Sequence, residues 1–179
     1  MSLPEGKQLS ITTMTCPDGH SMKHNTTSSR SLSGIEQRQV NSREFLCDLS
    51  SDACAFTDCG QIGTTGTFAD VEDCNVVIEQ LSLLSSNTIP GADTLSFAVP
   101  PKSQTVFSVG TCALAFFNDS EVGLEYDVCP LALESWGNLV LTTCVTSSHT
   151  LSGECFGPQD AYVVQLLGFP VDFLCPPVG

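Results

Sequence analysis

Ten cysteines spread along 179 residues constrain this chain more than any other feature of it. Cys16, Cys47, Cys54, Cys59, Cys74, Cys112, Cys129, Cys144, Cys155 and Cys175 form no C-x-x-C pair. Zinc ribbons, zinc fingers and thioredoxin-type sites rely on such close pairs to bring two thiolates to one centre. An even number of dispersed cysteines predicts up to five disulfides, formed in an oxidising compartment. The expectation is a secreted, extracellular protein with no metal and no cofactor. The stretch 1–7 lacks the apolar core of a signal peptide, so the signal such a protein needs is absent from this sequence.

Charge narrows the partners. The net charge is −14, and all six basic residues, Lys7, Lys23, Arg30, Arg38, Arg43 and Lys102, lie at or before position 102. Nucleic-acid binding needs cations that displace counterions from phosphate, and the C-terminal part has none to supply. Nucleic acid is excluded as a partner, and an anionic membrane surface is disfavoured for the same reason. No apolar run reaches the length that crosses a bilayer, so no membrane span is expected. The triplets Asn25-Thr26-Thr27 and Asn118-Asp119-Ser120 are candidate glycosylation sites at Asn25 and Asn118.

Three regions are expected. Residues 1–44 are polar and read as a flexible or loop-rich segment. Cys16, His20 and His24 fall at helical spacing there, but Pro17 and Gly19 argue against the helix that would align them as ligands. Residues 45–69 form a cysteine-rich lead-in with a weak strand at 62–68. Residues 70–179 form an α/β-sandwich domain with a Pro-rich tail.

Within that domain, Cys74, Val77, Ile78, Leu81 and Leu84 recur at helical spacing, predicting a helix over 71–84. Asp70, Glu72 and Asp73 stand at its start, where carboxylates complement the helix dipole. Strands are expected at 95–99 and over the apolar run 106–117, with a bulge or bend at Gly110. A second helix over 129–144 takes Asp127 as N-cap and tolerates Pro130 in its first turn. Its apolar face holds Trp136, which marks that residue as core. Fifteen rises of about 1.5 Å separate Cys129 from Cys144 by roughly 22 Å, so the two cannot pair. Cys144 with Cys155 is the preferred disulfide. A last strand is expected at 161–167.

Helix, strand, strand, helix, strand, with a possible strand in front, predicts an α+β fold. It is a two-layer α/β sandwich whose antiparallel sheet carries two helices on one face, a ferredoxin-like split βαβ arrangement. Asp73-Cys74 with Val77-Ile78 and Leu81, then Phe97 and Val99, then Val109-Gly110-Thr111-Cys112-Ala113, resembles fungal secreted cysteine-rich effectors. These are the necrosis-inducing-factor family, similar to viral killer-toxin subunits of α/β-sandwich fold. Trp136 to Cys144 and Ser152-Gly153 stand where that family carries its second helix and a glycine-containing return. The resemblance implies a disulfide-stabilised interaction domain without a catalytic site.

The expected function is therefore non-enzymatic binding, effector- or toxin-like, to a host or competitor protein or a cell-surface glycan. A lectin is the alternative, with Trp136, Tyr126 and Tyr162 as the aromatic candidates. A hydrolase ranks third: His149 lies in an ordinary polar loop, and no nucleophile elbow is present. The functional surface is expected on the acidic loop 118–127 or on an exposed sheet face.

Overall fold

The computed structural model describes residues 7–16, 42–47, 54, 56–60, 69–86, 96–146 and 152–168. In chain order these form β1 (Ser10–Thr15), β2 (Arg43–Leu46), β3 (Phe56–Asp58) and α1 (Val71–Ser86). There follow β4 (Phe97–Val99), β5 (Ser103–Val109), β6 (Cys112–Asn118), β7 (Glu125–Val128) and α2 (Pro130–Val140). β8 (Gly153–Phe156) and β9 (Tyr162–Gly168) complete the described chain. The expected strand at 62–68 lies outside the described residues.

α1 starts where Asp70 Oδ1 accepts the Glu72 backbone N–H at 2.8 Å, satisfying one of the donors a helix N-terminus leaves open. Its stripe of Cys74, Val77, Ile78 and Leu81 is buried, as the spacing predicts. α2 begins at Pro130, with Cys129 as its cap residue in an extended conformation. Asp127, expected as that cap, instead lies inside β7. Beyond Val140 the helix widens into a π-helical stretch, Leu141–Thr146. Here Thr142 Oγ1 donates to the Asn138 carbonyl (2.8 Å) and Thr146 Oγ1 to the Thr142 carbonyl (2.9 Å). Such hydroxyls compete for the carbonyls of the preceding turn and bend helices.

The main sheet has the order β1-β5-β6-β9-β8-β3, and every neighbouring pair in it is antiparallel. A second sheet, β2-β7-β4, pairs β2 with β7 in parallel and β4 with β7 antiparallel. Position 110 is sharper than the expected bend. Gly110 adopts φ +54°, and β5 and β6 are separate strands of a hairpin, with Val109 opposite Cys112. β1 shows that the polar N-terminal stretch contributes an edge strand to the sheet. β6 and β8 each run antiparallel to β9, so they are parallel to each other and connected through α2, with β9 inserted between them. β3, the strand nearest before α1 among the described residues, lies at the sheet edge.

α1 packs over β5 and β6, α2 over β8 and β9, and the helices pack against each other. Phe107, Leu114, Phe116, Val164 and Leu166 share one core with residues of both helices, which places the helices on one sheet face. Gly137 lets them close up: a β-carbon there would come within 2.9 Å of Leu114 and 3.5 Å of Ile78. The opposite face, with Val106, Ala113, Ala115 and Phe117, is buried as well. Burial on both faces explains why β5, β6 and β9 lack a clean alternation of apolar and polar residues. It also removes the exposed sheet face expected as a functional surface.

Four disulfides join described cysteines: Cys47–Cys129, Cys54–Cys155, Cys59–Cys144 and Cys74–Cys112, with Cα separations of 4.9–5.4 Å. The preferred pair Cys144–Cys155 is thus corrected. β3 pairs with β8 so that Thr57 stands opposite Cys155, and this brings Cys54 and Cys59, on either side of β3, to Cys155 and Cys144. Nearness along the chain loses to nearness across the sheet. Cys16 is also disulfide-bonded. Cys175 lies outside the described residues.

Candidate interaction surface

The start of α1 and the β5–β6 turn meet at one polar junction. Asp73 Oδ2 accepts both the Thr111 backbone N–H and the Thr111 hydroxyl at 2.8 Å, while Oδ1 pairs with Lys7 Nζ at 2.6 Å. The Asp70 N–H donates to Thr111 Oγ1 at 3.0 Å, and Cys74–Cys112 clamps the same junction. Asp73-Cys74 and Gly110-Thr111-Cys112 therefore bolt the start of α1 to the β5–β6 hairpin. Helix-terminus electrostatics explains Asp70 and Glu72, but the Asp73 carboxylate is committed to the hairpin. The Lys7 ammonium and the Thr111 donors hold it below the usual carboxylate range.

Trp136, Tyr126 and Tyr162 are all buried. Tyr162 stacks against Phe116 and against Trp136, with ring centroids at 5.2 and 5.6 Å, those two rings lie 6.4 Å apart, and Tyr162 meets Tyr126 edge-on at 5.5 Å. Burial pushes the phenols of Tyr126 and Tyr162 above their ordinary range. The core placement expected for Trp136 holds. The three aromatics proposed for sugar stacking lie inside the protein, so none offers a face to a ligand.

Asn118 is fully buried (0%). Its Nδ2 donates to the carbonyls of Val99 (2.9 Å) and Leu124 (2.8 Å), and Oδ1 accepts the Ser120 N–H (3.0 Å). A glycan would have to replace those bonds, so the structure removes Asn118 from the candidate glycosylation sites. Its triplet serves as a structural turn, because a short amide side chain can bridge nearby backbone groups. In the adjoining acidic loop, Asp119 is buried and paired with Lys102 at 2.5 Å, whereas Glu121 and Val122 are exposed. Asn25, His20, His24 and His149 lie outside the described residues.

The arrangement that stands out is the segment 42–60. Among its described residues only Cys54 is buried. Yet three of the four disulfides between described cysteines fasten it to the α/β core: Cys47 to the start of α2, Cys54 to β8 and Cys59 to the π-helical stretch. Its described residues bury little apolar surface, so covalent staples hold it together with the β2–β7 and β3–β8 ladders. The ion pair between Arg43 and Glu125, at 2.7 Å, is exposed on the arginine side and adds little.

Two aromatics project from this stapled segment. Phe45, on β2, is 67% exposed, and Phe56, on β3, is 60% exposed. Both strands are sheet edges. Every other aromatic residue among the described ones is buried or half-buried. Neither Phe45 nor Phe56 stood out in the sequence, where each sits in an irregular stretch without periodicity.

Carboxylates and an amide lie beside Phe56. Asp58 shares its sheet face two residues on and stands opposite Glu154 in the ladder. Glu154 Oε1 accepts Gln165 Nε2 at 2.9 Å. Burial raises the Glu154 carboxyl above its usual range; the Gln165 bond opposes this and the Asp58 charge adds to it.

Among the described residues no group of three or more His, Cys, Asp or Glu could hold a metal ion, and no helix is long and apolar enough to cross a membrane. Compared with known proteins, the chain matches no protein-family model, no curated protein and no solved structure.

Proposed function

We propose that this chain is a secreted, non-enzymatic binding protein that acts in the manner of an effector or toxin. It presents the disulfide-stapled segment 42–60 to a protein on a host or competitor cell. The observation that carries this reading is the exposure of Phe45 and Phe56 on a segment fastened by three disulfides. Exposed aromatics are enriched at recognition sites, and pre-ordering the segment lowers the entropy lost on binding. The split β6–α2–β8 unit is the part of the fold that supports kinship with killer-toxin-like sandwiches. Disulfides support an oxidising, extracellular home.

The test is saturable binding of the oxidised, fluorescently labelled protein to intact yeast cells and plant protoplasts. Wild type binds saturably, protease treatment of the cells abolishes binding, and a Phe45→Ala, Phe56→Ala variant loses it while keeping its thermal midpoint. Absence of saturable binding, or equal binding by the variant, overturns the reading.

A lectin is supported by one observation: Phe56 has Asp58 on its own face, with Glu154 and Gln165 behind it. Sugar sites combine an apolar platform with a few placed polar groups. A glycan array separates the two readings, since binding abolished by Phe56→Ala favours the lectin.

A further inference from the structure

Cys16 constrains where the chain beyond Gly168 must go. It is disulfide-bonded, the four pairs above use eight other cysteines, and Cys175 is the one of the ten that is left. The two have to meet from opposite ends of the main sheet. Gly168, where β9 ends, stands level with Cys112 and Val109. Cys16 follows Thr15 at the other end, where its N–H donates to the Lys102 carbonyl at 2.8 Å. Between β9 and β1 lie β6 and β5. Three strand spacings of about 4.8 Å and seven residue rises of about 3.4 Å place Cys16 about 28 Å from Gly168 on the diagonal. The seven residues from Gly168 to Cys175 span at most about 25 Å when extended, and a disulfide adds about 5.5 Å between α-carbons. Only a nearly straight path across the sheet closes the bond.

One face of that sheet is taken by α1 and α2. On the other, Gln104, Val106, Ala113, Ala115, Phe117 and Val163 are at most 2% exposed. The apolar cluster of that face, Val106, Ala113 and Ala115, contains no described residue from outside the main sheet. We infer that the tail 169–175 covers this face as an extended strap, running from the end of β9 to the end of β1 and closed by a Cys16–Cys175 disulfide. Its sequence fits the place. Phe169, Val171, Phe173 and Cys175 recur with the period of two of an extended chain, which puts them on one side and Asp172 on the other, toward water. Pro170 has no N–H to give to a ladder, which suits a chain lying over a face rather than adding to an edge. Ala113 and Ala115, on the diagonal, keep the floor low enough to seat Val171 and Phe173.

Non-reducing peptide mapping of the oxidised wild-type chain tests the bond, and photo-cross-linking tests the face. The map is expected to recover a Cys16–Cys175 peptide; Cys16 joined to any other cysteine overturns the inference. For the face, p-benzoylphenylalanine replaces Val171 in one variant and Phe173 in a second, and circular dichroism verifies folding. Irradiation is expected to join the probe to a peptide carrying β5 or β6, identified by mass. A cross-link that falls elsewhere, on α1 or α2 above all, overturns the inference, and so does the absence of any cross-link from folded protein.

Discussion

Asp73 and Gly110 compete for one small volume. A β-carbon at position 110 would fall 2.7 Å from the Asp73 carboxyl carbon, and the backbone at 110 already has φ +54°. Gly110→Ala therefore meets two penalties. The left-handed conformation alone costs about 1–2 kcal/mol for an L-residue, and the displaced carboxylate loses its bonds to Thr111. The urea midpoint is expected to fall clearly. A midpoint equal to wild type would show that Asp73 does not lie beneath the hairpin.

Glu154 makes stability depend on pH in a direction opposite to Asp73. Its folded carboxyl is raised above the ordinary range, so its contribution is complete below the unfolded Glu value and is lost as pH rises through the raised value. The Asp73 contribution is complete above the ordinary Asp range and is lost as pH falls through its depressed value. Glu154→Gln removes the first dependence and keeps an amide partner for Gln165. Its thermal midpoint relative to wild type is expected to climb between pH 4 and pH 8. A constant difference would place Glu154 in solvent.

Disulfide connectivity is directly measurable. Non-reducing peptide mapping is expected to recover Cys47–Cys129, Cys54–Cys155, Cys59–Cys144 and Cys74–Cys112, and alkylation is expected to label ten thiols only after reduction. Cys59→Ser with Cys144→Ser removes a crosslink nested inside Cys54–Cys155, where the effective loop is roughly 16 residues and chain entropy gives about 3 kcal/mol. Amide exchange should accelerate first in the π-helical stretch and in β3. A Cys144–Cys155 peptide in the map would contradict the β3–β8 pairing.

Asn118 is expected to remain unmodified in protein from a glycosylating host, read as an unshifted mass for its peptide after enzymatic deglycosylation in heavy-oxygen water. Asn118→Ala leaves the buried Val99 carbonyl and Ser120 N–H and the half-buried Leu124 carbonyl without their partner, at about 1–3 kcal/mol for each buried group left unsatisfied. The expected result is severe destabilisation in a denaturant titration. A glycan found at Asn118 in folded protein would be incompatible with its three backbone bonds.

Local pattern made part of this structure legible. The buried stripe of α1 follows from the 3.6-residue recurrence of Cys74, Val77, Ile78 and Leu81, and Pro130 marks the first residue of α2, because these depend on neighbours a few positions away. Trp136 was recognisable as core for the same reason. The motif Val109 to Ala113 was visible as a unit, whereas its partner Lys7 gave no signal, since a lone lysine in a polar stretch looks solvated.

The sequence by itself determined that the chain is a disulfide-rich α/β protein with its cysteines kept apart. It also determined that the chain is strongly acidic, with no Lys or Arg beyond position 102, for charge and spacing are properties of the chain. Tertiary structure alone decided which cysteines pair, that Asn118 turns inward, and that Phe45 and Phe56 turn outward on a stapled segment. Those outcomes depend on which distant strand lies alongside. Strand adjacency is set by packing across the whole sheet, where β3 meets β8 nearly a hundred residues later.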